Sequence, residues 1–449
     1  MKTAFILAGG KGTRLLDITK DEIPKPLVEV CNKSIIEREL ELLKNYGFEK
    51  VYISVNHLKE KIMDKLQDGK KYGLSIEYIV ENAPLGSGGA LFYVKDKIKE
   101  DFFVLSGDII LDIDFDRMLS FHNKNSALAT LFVHPNVHPY DSDLVITNNN
   151  NQIIKFDFKD NVRENYYKNL VNAGIFIISP TALSYFTEEK KVNMEKDFLN
   201  SLIETKRVYA YKSTEYVKDA GTVDRIEKVT NDINKGIVKA KNLKNKQKAI
   251  FLDRDGTINK YKGFIANAEE IELLPTVIDA IKKINNSEYL ALVVTNQPVI
   301  ARGETTFEEV DNIHKKIETL LGQQGAYVDD ITFCPHHPTS GFEGEIKELK
   351  IDCECRKPKI GMIKYFEEKY NLDLENSYII GDGGIDILTG KNAHLKTIKL
   401  PFYFQDKYND VKPDYFAENL LQAVNIILKK TKKWAVCPFF CYVFITKNN

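Results

Sequence analysis

Short apolar runs recur along the chain and alternate with amphipathic stretches. Ala4–Ala8, Val51–Val55 and Phe102–Leu105 predict strands in the first half, and Ser34–Tyr46 predicts a helix between the first two. The second half restarts the pattern with Ala249–Leu252, Leu290–Val294 and Tyr378–Ile380. Runs of this length suit strands buried on both faces, and the amphipathic segments suit helices covering those faces. The alternation predicts an α/β protein with mainly parallel sheets, built as two Rossmann-like domains.

Between the two series lies Asn231–Lys248, rich in Lys and Asn and poor in large apolar side chains. It predicts a first domain over 1–232, a linker over 233–247 and a second domain over 248–430. Residues 431–449 form an apolar tail. Its Trp434–Ile445 stretch contains Pro438 and is shorter than the roughly 20 apolar residues a spanning helix needs. A docked strand, an oligomer contact and an extraneous tail all remain open for it, and its Cys437 and Cys441 are assigned no metal.

Composition changes the picture only by exclusion. With 43% hydrophobic and 28% charged residues, disorder is not indicated, and a net charge of −1 gives no basic field for nucleic acid. The first apolar run is too short for a signal-peptide core, so a cytoplasmic location with reduced thiols is expected. Phosphate binding must then come from local sites.

Such sites are visible in the first half. Leu7–Leu15 reads LAGGKGTRL, so glycines follow a strand and can aim backbone N–H groups at phosphates. The loop is neither GxxxxGK(S/T) nor GxGxxG. Ile23-Pro24-Lys25-Pro26-Leu27 holds a lysine between two stiffening prolines, and Pro84–Leu91 (PLGSGGAL) supplies a second glycine loop. The strand FFVLSGD ends at Asp108, a carboxylate suited to Mg²⁺. Together these motifs resemble the sugar-1-phosphate nucleotidyltransferases over roughly the first 230 residues. The resemblance implies that Ala8, Gly9, Gly10, Gly12 and Thr13 cradle a nucleoside triphosphate, with Gly86 and Gly88 against its base. Arg14 and Lys25 would neutralise phosphate charge. Asn172, Gly174 and Glu195 would contact the sugar, and Asp108 and Asp219 would hold Mg²⁺. Leu16-Asp17-Ile18-Thr19 departs from the Pro-Leu-Thr that many relatives carry there.

The second half opens with AIFLDRDGTIN, Ala249 to Asn259, two aspartates just past a strand's carboxyl end. Two later strands end in Thr295 and Asp382, with Asp386 following, and Lys357 arrives in Cys355-Arg356-Lys357-Pro358. This set resembles the haloacid-dehalogenase-type phosphatases over roughly residues 248–430. By that resemblance Asp253 attacks phosphorus, and Asp255 protonates the leaving oxygen and then activates water. Thr295 and Lys357 would hold the phosphoryl oxygens, and Asn296, Arg302 and Arg356 would contact the substrate. Mg²⁺ would be bound by Asp253, Asp255 through its backbone carbonyl, and Asp382.

Cys334-Pro335-His336-His337-Pro338 and Cys353-Glu354-Cys355 bring thiolates and imidazoles into two close pairs, which suits tetrahedral Zn²⁺. Cys334, His336, Cys353 and Cys355 are the expected ligands, with His337 as the alternative imidazole. The zinc loop, with Thr295–Gln297 and Ala301–Gly303, is similar to that of heptose bisphosphate phosphatases and their histidinol-phosphatase cousins. Pro298-Val299 departs from the Ser-Gly usual after TNQ in that group.

The two resemblances fit one sequence of reactions. Removing the 7-phosphate of a heptose 1,7-bisphosphate leaves a heptose 1-phosphate, a substrate for the first half. The N-terminal half looks closer to the D-glycero-α-D-manno-heptose 1-phosphate guanylyltransferases, which implies GTP and a GDP-heptose for surface polysaccharides. A hexose 1-phosphate nucleotidyltransferase joined to a histidinol-phosphate phosphatase, or a regulator with one inactive half, are the other readings. The expected partners are therefore sugar phosphates and a nucleoside triphosphate, without nucleic acid or a membrane span; a homo-oligomer stays open.

Overall fold

The computed structural model describes residues 2–10, 12–401, 407–408 and 410–431. The tail from 432 lies outside the described residues. No helix among those described is long and apolar enough to cross a membrane.

In the first half the three expected strands form as β1 (Lys2–Leu7), β2 (Phe48–Val55) and β4 (Phe102–Ser106), and a fourth that the sequence pattern did not mark, β3 (Ser75–Val80), joins them. Helix α1 (Ile35–Asn45) connects β1 to β2, with Ser34 at its N-cap and the Glu37 carboxylate reaching back to it in a capping box. The order β3-β2-β1-β4 is parallel throughout. Beyond β4 the sheet is mixed. β7 (Val171–Ile178) runs antiparallel to β4 and to β6 (Ala129–His134), and β8 (Val208–Lys212) runs parallel to β6. Two short strands, β5 (Ile109–Asp112) and β9 (Tyr216–Asp219), pair antiparallel beside the sheet. Apolar runs report burial on both faces but not strand direction, so the antiparallel half departs from the mainly parallel expectation. One large apolar cluster packs on each face of this sheet.

The second sheet is parallel throughout, in the order β12 (Asp330–Cys334), β11 (Tyr289–Asn296), β10 (Lys248–Leu252), β13 (Tyr378–Gly381), β14 (Lys396–Lys399) and β15 (Tyr415–Phe416). β10, β11 and β13 are adjacent, so their carboxyl ends deliver Asp253, Thr295 and Asp382 to one place.

The polar stretch between the halves has structure of its own. Helix α2 (Val223–Asn234) runs across residue 232, and α3 (Ile237–Ala240) follows it. Asn242 Nδ2 donates to Tyr46 Oη at 2.9 Å and Asp112 Oδ1 at 2.6 Å. Leu243 N donates to Glu215 Oε1 at 3.0 Å, and burial pushes the Glu215 carboxyl up to about 7. Gln247 Nε2 donates to the carbonyls of Ala240, Asn242 and Asn245, while Asn371 Nδ2 donates to those of Leu243 and Asn245. The segment is thus held by side chains of both halves.

Direct contacts add to that clamp. Asp330, at the start of β12, accepts from Lys212 Nζ at 2.6 Å, Lys369 Nζ at 2.8 Å and Tyr370 Oη at 2.7 Å. Burial opposes the Asp330 charge, but the two lysines outweigh it and hold the carboxyl far below its usual range. Lys168 pairs with Asp311 at 2.6 Å, and Asn169 N donates to Glu318 Oε2 at 3.2 Å. Removing the shared carboxylate leaves two cations uncompensated, so Asp330→Ala is expected to cost about 3 kcal/mol in denaturant unfolding. Because the folded pKa is depressed, this contribution is complete above the unfolded carboxyl value of about 4 and fades as pH falls below it. A variant as stable as wild type at neutral pH would show that the contact carries no weight.

Candidate active sites

The phosphatase-like site begins where β10 ends. Lys357, 2% exposed, places Nζ 2.8 Å from Asp253 Oδ1, 2.6 Å from Asp386 Oδ1 and 3.0 Å from the Val294 carbonyl. Asp253, Asp382 and Asp386 each offer an oxygen, and these oxygens lie within 4.8 Å of one another. Three carboxylates thus face one ammonium. Burial, then repulsion from Asp386, pushes Asp253 up to about 7. Burial, with Asp253 and Asp386 close by, pushes Asp382 up to about 8. A hard divalent cation suits this oxygen set and its excess negative charge. Asp386 thereby joins the expected ligands, a role its position four residues after Asp382 hinted at. Gly256 adopts φ +78°, and a Cβ there would lie 1.8 Å from Asp382 Oδ2, so the turn that follows β10 has no room for a side chain at this position.

Asp255 points elsewhere. Arg254, fully buried, donates Nε to Asp255 Oδ1 at 3.0 Å and Nη2 to Oδ2 at 2.8 Å. Asn259 Nδ2 and Gln297 Nε2 complete the grip at 2.9 and 3.0 Å. Burial opposes the charge, but Arg254 and these amides outweigh it and hold the carboxyl below its ordinary range. Gln297 Nε2 also donates to Thr295 Oγ1 at 2.9 Å, linking the threonine to Asp255. Sequence reasoning assigned neither Arg254 nor Gln297, although both sit inside its motifs.

The other expected substrate residues have protein partners. Asn296 clasps the Lys357 backbone, donating to its carbonyl at 3.2 Å and accepting from its N–H at 3.0 Å. Arg356 Nη1 donates to the His336 carbonyl at 3.0 Å. Arg302 pairs with Glu304 at 2.7 Å, with its guanidinium 4.3 Å from the centres of both the Phe264 and Phe342 rings. At the departure after TNQ, Val299 is buried in a small cluster with Ile300 and Val310.

Cys334, His336, Cys353 and Cys355 come together as expected. The Cys355 sulfur lies 3.2 Å from both other sulfurs and 3.3 Å from His336 Nδ1, and Cys334 Sγ lies 3.5 Å from Cys353 Sγ. Four N and S donors at such spacing form a small tetrahedral cage, the donor set of a structural zinc site. His337 Nδ1 instead meets Thr339.

In the first half, Ala8, Gly9 and Gly10 follow β1, while Lys11 lies outside the described residues. Gly12 has φ +62° and opens the short turn Thr13–Leu15. Lys25 Nζ pairs with Asp108. A Cβ on Gly221 would sit 2.8 Å from Asp219 Oδ1, 3.1 Å from Lys25 Nζ and 3.2 Å from Arg14 Nη2, so these groups converge on one glycine. Arg225 Nη1 lies 2.6 Å from both Asp219 oxygens. Burial works against the Asp219 charge, but Arg225 outweighs it and keeps the carboxyl below its usual value. Asp108 and Asp219 are thus each balanced by one of the chain's own cations, Lys25 and Arg225.

Asn172 Nδ2 donates to Glu195 Oε1 at 2.8 Å and its Oδ1 accepts from Gly174 N at 3.1 Å; burial raises the Glu195 carboxyl. Gly86 packs against the chain, since a Cβ there would lie 2.5 Å from the Val192 carbonyl, and Gly88 N donates to that carbonyl at 2.9 Å. Glu81, which sequence reasoning passed over, accepts from Leu85 N at 3.1 Å, and a Cβ on Gly9 would lie 2.9 Å from its Oε1. It joins the two glycine loops. A cavity of about 910 Å³ opens among Arg14, Asp108, Glu195 and Asp219 and reaches Lys282 and Tyr327 of the second half. Its size suits a nucleotide or a sugar phosphate.

Comparisons with known proteins agree with this division. Residues 3–236 match the family described as nucleotidyl transferase, and residues 248–426 that described as polynucleotide kinase 3 phosphatase. The mannose-1-phosphate guanylyltransferase catalytic subunit beta of Dictyostelium discoideum is 34% identical over 222 residues, covering 49% of this chain. The match spans 60% of that relative's own length. The D-glycero-beta-D-manno-heptose-1,7-bisphosphate 7-phosphatase of Rhodopseudomonas palustris is 35% identical over 147 residues, covering 33% of this chain and 79% of that protein. The alpha-anomer counterpart of Photorhabdus laumondii is 38% identical over 151 residues, covering 34% and 80%. The chain belongs to the nucleotidyl transferase family through its N-terminal half and to the heptose-1,7-bisphosphate 7-phosphatase family through its C-terminal half.

Proposed function

We propose that the chain catalyses two consecutive reactions: its C-terminal half removes the 7-phosphate of a D-glycero-D-manno-heptose 1,7-bisphosphate, and its N-terminal half transfers a nucleotidyl group to the resulting heptose 1-phosphate. The observation that carries this reading is the pairing of Asp253 with the buried Lys357 at three adjacent strand ends, in the same chain as the Arg14–Lys25–Asp219 convergence.

In the first reaction Asp253 Oδ attacks phosphorus and an aspartyl phosphate forms as the sugar oxygen leaves. Lys357 and Thr295 steady the phosphoryl oxygens. Asp255 in its protonated form supplies the leaving-group proton, and the resulting carboxylate then takes a proton from the water that cleaves the aspartyl phosphate, which restores the acid. Its grip by Arg254 and Gln297 favours the ionised form needed for that second role. Asp253, Asp382 and the Asp255 carbonyl, with Asp386 close by, would hold Mg²⁺, which would supply charge neutralisation beside the phosphate. Zn²⁺ in the Cys334–His336–Cys353–Cys355 cage would fix the loop whose next residues are Arg356 and Lys357.

In the second reaction a sugar 1-phosphate oxygen attacks the α-phosphorus and pyrophosphate leaves. Arg14 and Lys25 lower the cost of the developing charge, and Asn172 and Glu195 orient the sugar. Asp108 and Asp219 would hold Mg²⁺ at the phosphates. Gly9, Gly10, Gly12 and Thr13 line the triphosphate side, and the second glycine loop lies on the base side. GTP is the favoured donor. The Dictyostelium relative is named as a guanylyltransferase for mannose 1-phosphate, and the manno ring configuration recurs in the heptose. A cytoplasmic setting fits substrates of this kind.

Single substitutions separate the halves. Asp253→Asn is expected to lower phosphate release from the bisphosphate by about 10³-fold or more while sparing nucleotidyl transfer to heptose 1-phosphate. Lys25→Ala is expected to do the reverse, costing about 10²- to 10³-fold in transfer. Both rates are read by following phosphate and pyrophosphate separately. Loss of both activities in either variant would count against independent sites.

Metal analysis of the EDTA-washed chain is expected to return one zinc. Cys355→Ser should lose it and depress the phosphatase rate while leaving the transfer rate unchanged. A zinc-free wild-type chain with full phosphatase activity would remove the metal from the account.

A further inference from the structure

The 910 Å³ cavity continues past the residues assigned to sugar and phosphates. Its far end lies at the junction of the two halves. There it is lined by Lys241 from the connecting segment, by Lys282 and Asn285 of helix α4 (Val277–Asn285), and by Tyr327 and Asp329 just before β12. Lys241 is 6% exposed, borders this cavity and has no side-chain hydrogen-bond or ion-pair partner among the described residues. Lys282 has none either. A lysine that is almost wholly buried normally has a partner.

The surroundings sharpen the imbalance. Lys218 and Lys228 share one carboxylate, Asp232, at 3.3 and 2.7 Å, and Tyr216 Oη donates to the same group at 2.9 Å. Burial, together with repulsion from Lys228 and Lys241, pushes the Lys218 ammonium down to about 8, with Asp232 pulling the other way. Besides Glu215, whose carboxyl burial pushes up to about 7, the acid here is Asp329. Its Oδ2 accepts from Ala291 N at 2.7 Å, and burial raises its carboxyl, with Lys241 acting in opposition. His134 is driven down to about 4 by burial, with Lys218 adding to the effect, and is therefore neutral. Three ammonium groups, Lys218, Lys228 and Lys241, accordingly gather near Asp232, where burial opposes the charge but Lys218 and Lys228 hold the carboxyl low, and near Asp329 and Glu215, which burial biases toward neutrality.

We infer that the junction end of the cavity is a phosphate-binding subsite, with Lys241 and Lys282 as its ligands from the connector and the phosphatase half. A phosphate group there would supply the missing acceptors for both ammonium groups and offset the field of Lys218 and Lys228. The group arrives either as free inorganic phosphate or on a sugar that carries a second phosphate. Binding at this subsite requires neither catalytic reaction, so its test is independent of the proposed activities.

The test is equilibrium dialysis of the full chain with radiolabelled inorganic phosphate, in an Asp253→Asn background that preserves phosphate esters. Lys241→Gln is expected to bind one phosphate fewer per chain. Lys282→Gln, on a partly exposed helix position, is expected to weaken the same site by about tenfold and serves if the first variant does not fold. Unchanged stoichiometry and affinity in the folded variants would overturn the subsite. Displacement by glucose 1,6-bisphosphate at far lower concentrations than by glucose 1-phosphate would identify the sugar-borne phosphate as the ligand. Equal displacement by the two would identify free phosphate.

Discussion

Charge balance at strand ends governs the structure of both sites. In the second half Asp253, Asp382 and Asp386 crowd around the single Lys357 ammonium. Carboxylates so placed repel a phosphate ester unless cations intervene, and their oxygens form a set of hard donors for such a cation. In the first half the chain supplies the counter-charge itself, with Lys25 on Asp108 and Arg225 on Asp219. Much of the surrounding architecture serves to hold these few charges in place. Asn296 clasps the backbone of Lys357, Gln297 ties Thr295 to Asp255, and Gly256 leaves room for the Asp382 carboxylate.

The parts of this arrangement that depend on local sequence are legible in the order of residues alone. Four apolar residues followed by Asp-Arg-Asp place two carboxylates past a strand end, and adjacent strands then bring Thr295 and Asp382 to the same point. The Cys and His pairs are likewise readable, because metal-ligand spacing survives folding. Contacts between distant segments are not. Nothing in the sequence around Glu81 marks it as the acceptor that links Gly9 to the second glycine loop. Arg254 reads as a spacer between two aspartates, yet it determines which way Asp255 faces. Strand direction is also hidden: the apolar run Val171–Ile178 looks the same whether it pairs parallel or, as here, antiparallel.

The polar connector shows the same limit. Asn and Lys residues have one composition whether they face water or bind backbone carbonyls. Here Asn242 and Gln247 make specific hydrogen bonds, and Asp330, Asn169 and Lys168 add contacts between the halves. The two sites are therefore held in a defined relation, and the transferase cavity takes part of its wall from the phosphatase half.

The central claim is that one chain carries both reactions in the order dephosphorylation, then nucleotidyl transfer. Its most direct test is to incubate the purified chain with Mg²⁺, D-glycero-D-manno-heptose 1,7-bisphosphate and each nucleoside triphosphate in turn, and to identify products by mass spectrometry. The account predicts a nucleoside diphosphate heptose with GTP, accompanied by phosphate and pyrophosphate. Bisphosphate left unchanged with every triphosphate, while heptose 1-phosphate is also refused, would contradict it.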